Sequence, residues 1–167
     1  MAADRSAPEL TEDGRPTAAY RRHLAGRSRL PRTACAALGV GYVVLGILGL
    51  HEGGLGEMGT DTVPPPSLGG LGGSPLLSYA HLVWGVAALL CALSVGSTQV
   101  LGMIGSVAFL GLVTYDVVAL IASQPGEVFA VRWPAAVLHG VTWAVAVALY
   151  LAADAAKRPP HPREDPT

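Results

Sequence analysis

The chain has 167 residues, of which 51% are hydrophobic and only 14% charged, with a formal net charge of −1. A mean hydropathy of +0.44, with the apolar residues gathered in blocks, argues against an ordinary soluble domain and for an integral membrane protein. The near-neutral balance hides segregation: Arg5, Arg15, Arg21, Arg22, Arg27, Arg29 and Arg32 are seven of the eleven basic residues and all precede residue 33.

The first element is therefore an Arg-rich tail, residues 1–32, with an acidic patch (Asp4, Glu9, Glu12, Asp13) ahead of most of its arginines. Its single aromatic, Tyr20, and the lack of any recognisable module make a nucleic-acid partner unexpected. No signal peptide is expected, because polar residues precede the first apolar run. Met1-Ala2 lacks the myristoylation pattern, and the ending "DPT" is no prenylation box. Pro, charged and small residues predict disorder or loose helix over 1–28 and 159–167.

Four apolar segments follow, at about 33–50, 76–96, 99–122 and 134–153. A helix needs about 20 residues to cross the hydrocarbon core, within a range of about 17–25. Each segment meets this, and none has the polar face of a helix in a soluble protein. Helix is the expected form, because lipid offers no partner to a bare N–H or C=O. The expected class is an all-α integral membrane protein of four transmembrane helices, residues 33–153, with disordered cytoplasmic tails at 1–32 and 154–167. Cys35 and Cys91 lie inside apolar runs and read as small core residues rather than a disulfide.

Lys and Arg set the orientation. Lys157, Arg158 and Arg163 follow the fourth span, the connection 51–75 has no Lys or Arg, and 123–133 has only Arg132. The positive-inside rule then puts both termini in the cytoplasm and both long connections outside, in the inner (plasma) membrane. Ser97-Thr98 reads as a tight cytoplasmic turn. The stretch "YRRHLAGRSRLPR" sets this topology and is also suited to anionic lipid. The first connection is Gly- and Pro-rich, which predicts little regular structure. Its His51, Glu52, Glu57 and Asp61 match no metal-ligand spacing.

Small residues at four-residue spacing let helix backbones approach closely. The fourth span offers Ala144, Ala148, Ala152 and Ala156. The first offers Ala37 and Gly41, with Gly46 and Gly49, and the third Gly102 and Ser106. Such spacing predicts a compact bundle and serves contacts within a chain or in a homo-oligomer equally.

The third span contains a carboxylate, Asp116, in "VAFLGLVTYDVVALIA". At a rise of 1.5 Å per residue it lies about 9 Å below the outer end of its span. His81, on the second span, and His139, on the fourth, each lie about 7–8 Å below the same surface. An ionised Asp at a helix centre costs about 2.5–3.5 kcal/mol on insertion scales, so Asp116 is expected to pair with His81 or His139. The short turn between spans two and three favours His81. This layer of His81, Asp116 and His139 is the candidate polar site. It suits packing between helices, a proton- or ion-coupled site, a metal site of two His and one Asp, or haem held by the two histidines.

The second and fourth spans look alike. "SYAHLVWGVAALLCAL" has His81 three residues before Trp84, and "AAVLHGVTWAVAVALYL" has His139 four residues before Trp143. Both tryptophans are expected on the histidine's face, one turn deeper. Spans one and three share Gly-rich starts, which suggests two related helical hairpins, as in parallel-repeat membrane proteins. At "AHLVWG" (Ala80–Gly85) and "VLHGV" (Val137–Val141) the chain resembles a small actinobacterial four-span membrane family classed as a domain of unknown function. The resemblance covers about residues 30–153; it implies a membrane location and carries no chemistry.

No nucleophile–base pair, phosphate loop or redox motif is recognisable. The expectation is a non-enzymatic accessory or assembly subunit without a cofactor, its partners being membrane lipid and either a second copy or another membrane protein. A proton- or ion-coupled transport component is the alternative, and four helices leave so little room for a pathway that transport would call for an oligomer.

Overall fold

The computed structural model describes residues 17–53, 68–71, 74–122 and 131–158. Every regular element among them is helical. Four helices follow one another: α1 (Ala18–Gly53), α2 (Pro75–Cys91), α3 (Val95–Ala122) and α4 (Trp133–Lys157), with a single 3₁₀ turn at Leu68–Gly70 between the first two. Three of them contain stretches long and apolar enough to cross a membrane: Gly26–Glu52, Val95–Ala122 and Trp133–Lys157. The fourth, α2, is apolar and 17 residues long, at the lower end of the spanning range. The protein is an all-helical membrane protein.

Two pairings build the bundle. α1 packs along α2 and α3 along α4, while α2 and α3 touch little although a three-residue turn joins them. Glycines explain the choice. A Cβ on Gly85 of α2 would fall 2.5 Å from the backbone nitrogen of Val43 on α1, and one on Gly46 would fall 2.7 Å from that of Leu82 on α2. On the other pair, a Cβ on Gly102 of α3 would fall 2.6 Å from the backbone nitrogen of Tyr150 on α4. Each hairpin is thus closed by backbone against backbone, which only Gly permits. Cys35, Ala88, Ala92, Leu101 and Leu149 form the shared core, and both cysteines are free thiols.

Several boundaries differ from the expected ones. α1 begins at Ala18, not near residue 33, and runs through Pro31; residues 18–28, expected as disorder or loose helix, and 29–32 are continuous with the span as one helix. Residues 1–16 and 159–167 lie outside the described residues, as do Glu57 and Asp61 of the first connection. Glu52, ahead of them in sequence, accepts a hydrogen bond from the Leu68 amide at 2.9 Å. The α2–α3 turn falls at Ala92–Ser94, ahead of Ser97-Thr98, because Ser94 caps α3 by accepting from the Ser97 amide at 3.1 Å. Ser97 and Thr98 instead lie in the first turn of α3, and both hydroxyls donate to the Cys91 carbonyl, at 2.8 and 3.0 Å.

The alanine run of α4 also faces differently from expectation. Ala144 and Ala148 are exposed, and the buried face is Ala135, His139, Thr142, Ala146, Leu149 and Ala153. Ala37 and Gly41 of α1 are likewise exposed, whereas Gly46, Gly49 and Gly102 pack as their spacing implied.

Candidate functional site

Six residues separate His81 from the start of α2, His139 from the start of α4 and Asp116 from the end of α3. All three side chains turn inward: Asp116 and His139 are 0% exposed and His81 4%. They form a chain. Asp116 Oδ2 lies 2.6 Å from His139 Nδ1, and His139 Nε2 lies 3.2 Å from His81 Nε2. Asp116 pairs with His139, one of the two expected partners, rather than with the favoured His81. Asp116 meets His139 and reaches His81 only through it, because α3 packs on α4 rather than on α2.

The surroundings fix the rings. Phe109, two helical turns before Asp116 on the same face of α3, tilts against His139 with ring centroids 6.0 Å apart. Tyr42 of α1 stands edge-on to His81 at 5.1 Å and tilts against Phe109 at 5.8 Å. The Tyr42 hydroxyl is 2.6 Å from Thr142 Oγ1, whose own proton goes to the Leu138 carbonyl at 2.9 Å; Tyr42 is therefore the donor. Sequence reasoning missed this second link. Its signal was present: Tyr42 is eight residues from Leu50, and Thr142 eight from Pro134. Both therefore lie about 12 Å deep by helix rise.

Proton count follows from donor chemistry. When His139 donates from Nδ1 to the carboxylate as a neutral ring, its Nε2 is an acceptor and His81 must donate from Nε2. One added proton makes His139 a donor at both nitrogens, and His81 then carries its own proton on Nδ1. Protons on both facing Nε2 atoms would leave two donors in contact with no acceptor. Asp116 Oδ1 and Trp84 Nε1 are buried and have no hydrogen-bond partner among the described residues.

The same geometry disfavours two ligand readings. A haem has to fit between its two histidines, and facing nitrogens 3.2 Å apart leave no room for a porphyrin. A metal needs donors converging on one point. Asp116 binds the Nδ1 side of His139 while His81 meets its Nε2 side, so the three do not converge. No group of three or more His, Cys, Asp or Glu residues placed to hold a metal occurs among the described residues.

The two tryptophans part company. Trp84 turns inward, edge-on to Phe109 at 5.1 Å and over Gly105, where a Cβ would fall 3.0 Å from its ring; Trp143 is exposed. The difference between i+3 and i+4 places them on opposite sides of their histidines.

The model of a family described as a domain of unknown function (DUF4383) matches residues 32–152 of the chain. That span holds both hairpins and all three members of the polar chain, and the protein belongs to this family. No curated protein and no solved structure matches it.

Proposed function

We propose that this member of a family without assigned chemistry is a non-enzymatic accessory or assembly subunit of the inner (plasma) membrane, in which the Asp116–His139–His81 chain fixes how its two hairpins meet. The carrying observation is that chain itself: three side chains from α2, α3 and α4, sealed from solvent and lipid, bonded to one another. Tyr42 adds α1 through Thr142, so α4 is bonded to every other helix. A buried polar network that selects one packing among many apolar ones is a known use of such groups.

All four helices cross the bilayer in this reading, and both termini face the cytoplasm, as the basic residues favour. Cysteines introduced into the 51–75 connection react with an impermeant thiol reagent from outside, and those in either tail do not. The opposite labelling pattern inverts the topology.

The decisive test of the network is a double-mutant cycle. Asp116 and His81 do not touch, yet Asp116→Asn and His81→Gln should couple by about 0.5–3 kcal/mol in detergent unfolding, because both act on His139. Additive losses would break the chain into unrelated contacts.

A second reading, a proton-coupled component, is favoured by one feature: two facing imidazole nitrogens 3.2 Å apart continue the chain from Asp116, whose Oδ1 has no partner among the described residues. Proteoliposomes separate the two. The packing role predicts that a pH gradient decays equally with the native protein and with Asp116→Asn. Faster decay with the native protein would establish the proton-coupled role instead.

A further inference from the structure

At the end of the bundle where α1 begins and α4 ends, α1 runs past the end of α2. Arg32 Nε donates to the Ala92 carbonyl at 2.9 Å, just past the last turn of α2, so α1 residues before Arg32 extend beyond the end of that helix. The last turn of α4 lies beside the first turn of α3, where Gln99 meets Asp154 and Lys157, and Arg27 Nη2 donates across to the Ala155 carbonyl at 2.6 Å. Between the start of α1 and the end of α4 lies a groove of about 560 Å³ lined by Gly26, Arg27, Leu30, Pro31, Ala152, Ala155 and Ala156.

The groove exists because its walls are small. A Cβ on Gly26 would meet no atom within 4 Å, and the α4 positions that line the opposite wall are all alanine. Its lining is apolar except for one cation, Arg27. Leu30, 71% exposed, continues the groove onto the outward apolar surface, while Arg27 stands at its edge with five N–H donors, one of them engaged by Ala155. Arg29, Lys157 and Arg158 lie on the same two segments outside the groove lining, Lys157 donating to Gln99 and Arg158 binding Asp154 at 2.6 Å, the one carboxylate among the described residues of these segments. An apolar slot with one guanidinium at its edge, on two segments with a surplus of basic residues at the end of membrane-crossing helices, has the shape and charge of a site for a lipid that is itself apolar at one end and anionic at the other.

We propose that this groove holds one anionic phospholipid, its phosphate on the Arg27 guanidinium and an acyl chain along Leu30, Pro31, Ala152 and Ala156. The site is independent of the buried polar chain, and of which face of the membrane the termini occupy. Zwitterionic lipid has the same phosphate but no net charge, so the surplus of arginine and lysine selects against it.

Native mass spectrometry of the full chain in neutral detergent tests this, with phosphatidylglycerol, phosphatidylcholine and inorganic phosphate as probes. The expected result is one phosphatidylglycerol retained per chain, phosphatidylcholine lost, and no competition from inorganic phosphate. Arg27→Gln should lower retention about fivefold, the factor that one basic residue near anionic lipid is worth. Filling the slot with Ala152→Leu and Ala156→Leu should abolish it in a protein of unchanged helicity; Arg27→Gln, on the rim, keeps the proposal falsifiable even if the filled variant fails to fold. Equal retention of the two lipids, or full retention by Arg27→Gln, overturns the proposal. So does displacement by inorganic phosphate, which would make the site one for free anions. A several-fold gain on deleting residues 159–167 overturns it too, since the chain's own tail would then be the occupant.

Discussion

The bundle is tied by polar contacts at two levels, and the two are built on opposite terms. The inner level joins side chain to side chain: Asp116, His139 and His81, then Tyr42 and Thr142, all buried. The level where α1 begins and α4 ends divides between bonds to the carbonyls that helix ends leave unpaired and bonds among exposed or half-buried side chains. Arg32 serves the end of α2 and Arg27 the end of α4, while Gln99 bridges Asp154 at 3.1 Å and accepts from Lys157. Water can replace the partners at the second level, and nothing can replace those at the first. Equal numbers of contacts therefore carry unequal weight.

That contrast can be broken by measurement, using unfolding in detergent throughout. Asp116→Ala should cost the most, about 3–5 kcal/mol, because it leaves a buried histidine without its carboxylate. Tyr42→Phe should cost about 1 kcal/mol, since Thr142 keeps its bond to Leu138. Arg32→Ala should cost about 0.3–1 kcal/mol, the worth of a cation at a helix C-terminus. Arg158→Ala should cost about 0.3–0.5 kcal/mol at most, and that loss should vanish in high salt. A larger loss for Arg32→Ala than for Asp116→Ala would reverse the ranking of the two levels. Equal losses for Tyr42→Phe and Arg158→Ala would show that burial does not govern it.

The sequence made some of this legible and hid the rest for physical reasons. Residue counting from span ends brought Asp116, His81 and His139 to one level, since helix rise converts position into depth. Counting alone does not convert sequence adjacency into packing. The short turn suggested that α2 lies against α3, but Gly85 and Gly102 let their helices approach α1 and α4 more closely, and those pairings govern. Small-residue spacing was ambiguous in the same way. Gly46 and Gly102 face protein, while Ala144 and Ala148 face outward, and spacing is blind to which side lipid occupies. Arginines that read as a topology signal also proved to be helix caps, which only coordinates reveal. The extension of α1 through Pro31 was hidden by charge and by a residue that costs about 3 kcal/mol in a helix interior.

The brevity of α2 has a consequence for the membrane itself. Its 17 residues rise about 25 Å, against about 42 Å for the 28 residues of α3. A typical hydrocarbon core is about 30 Å thick. Val83, Val86 and Leu90 face outward along α2, and α3 shields it little, so lipid meets the short helix directly. The acyl chains along that side have to shorten or splay to match it, while those along α3 do not. In the proposed four-span arrangement one flank favours a thin bilayer, and a neighbour that shares the thinning can share its cost. Hydrophobic mismatch, rather than any specific contact, would then set which side of the bundle other membrane proteins approach.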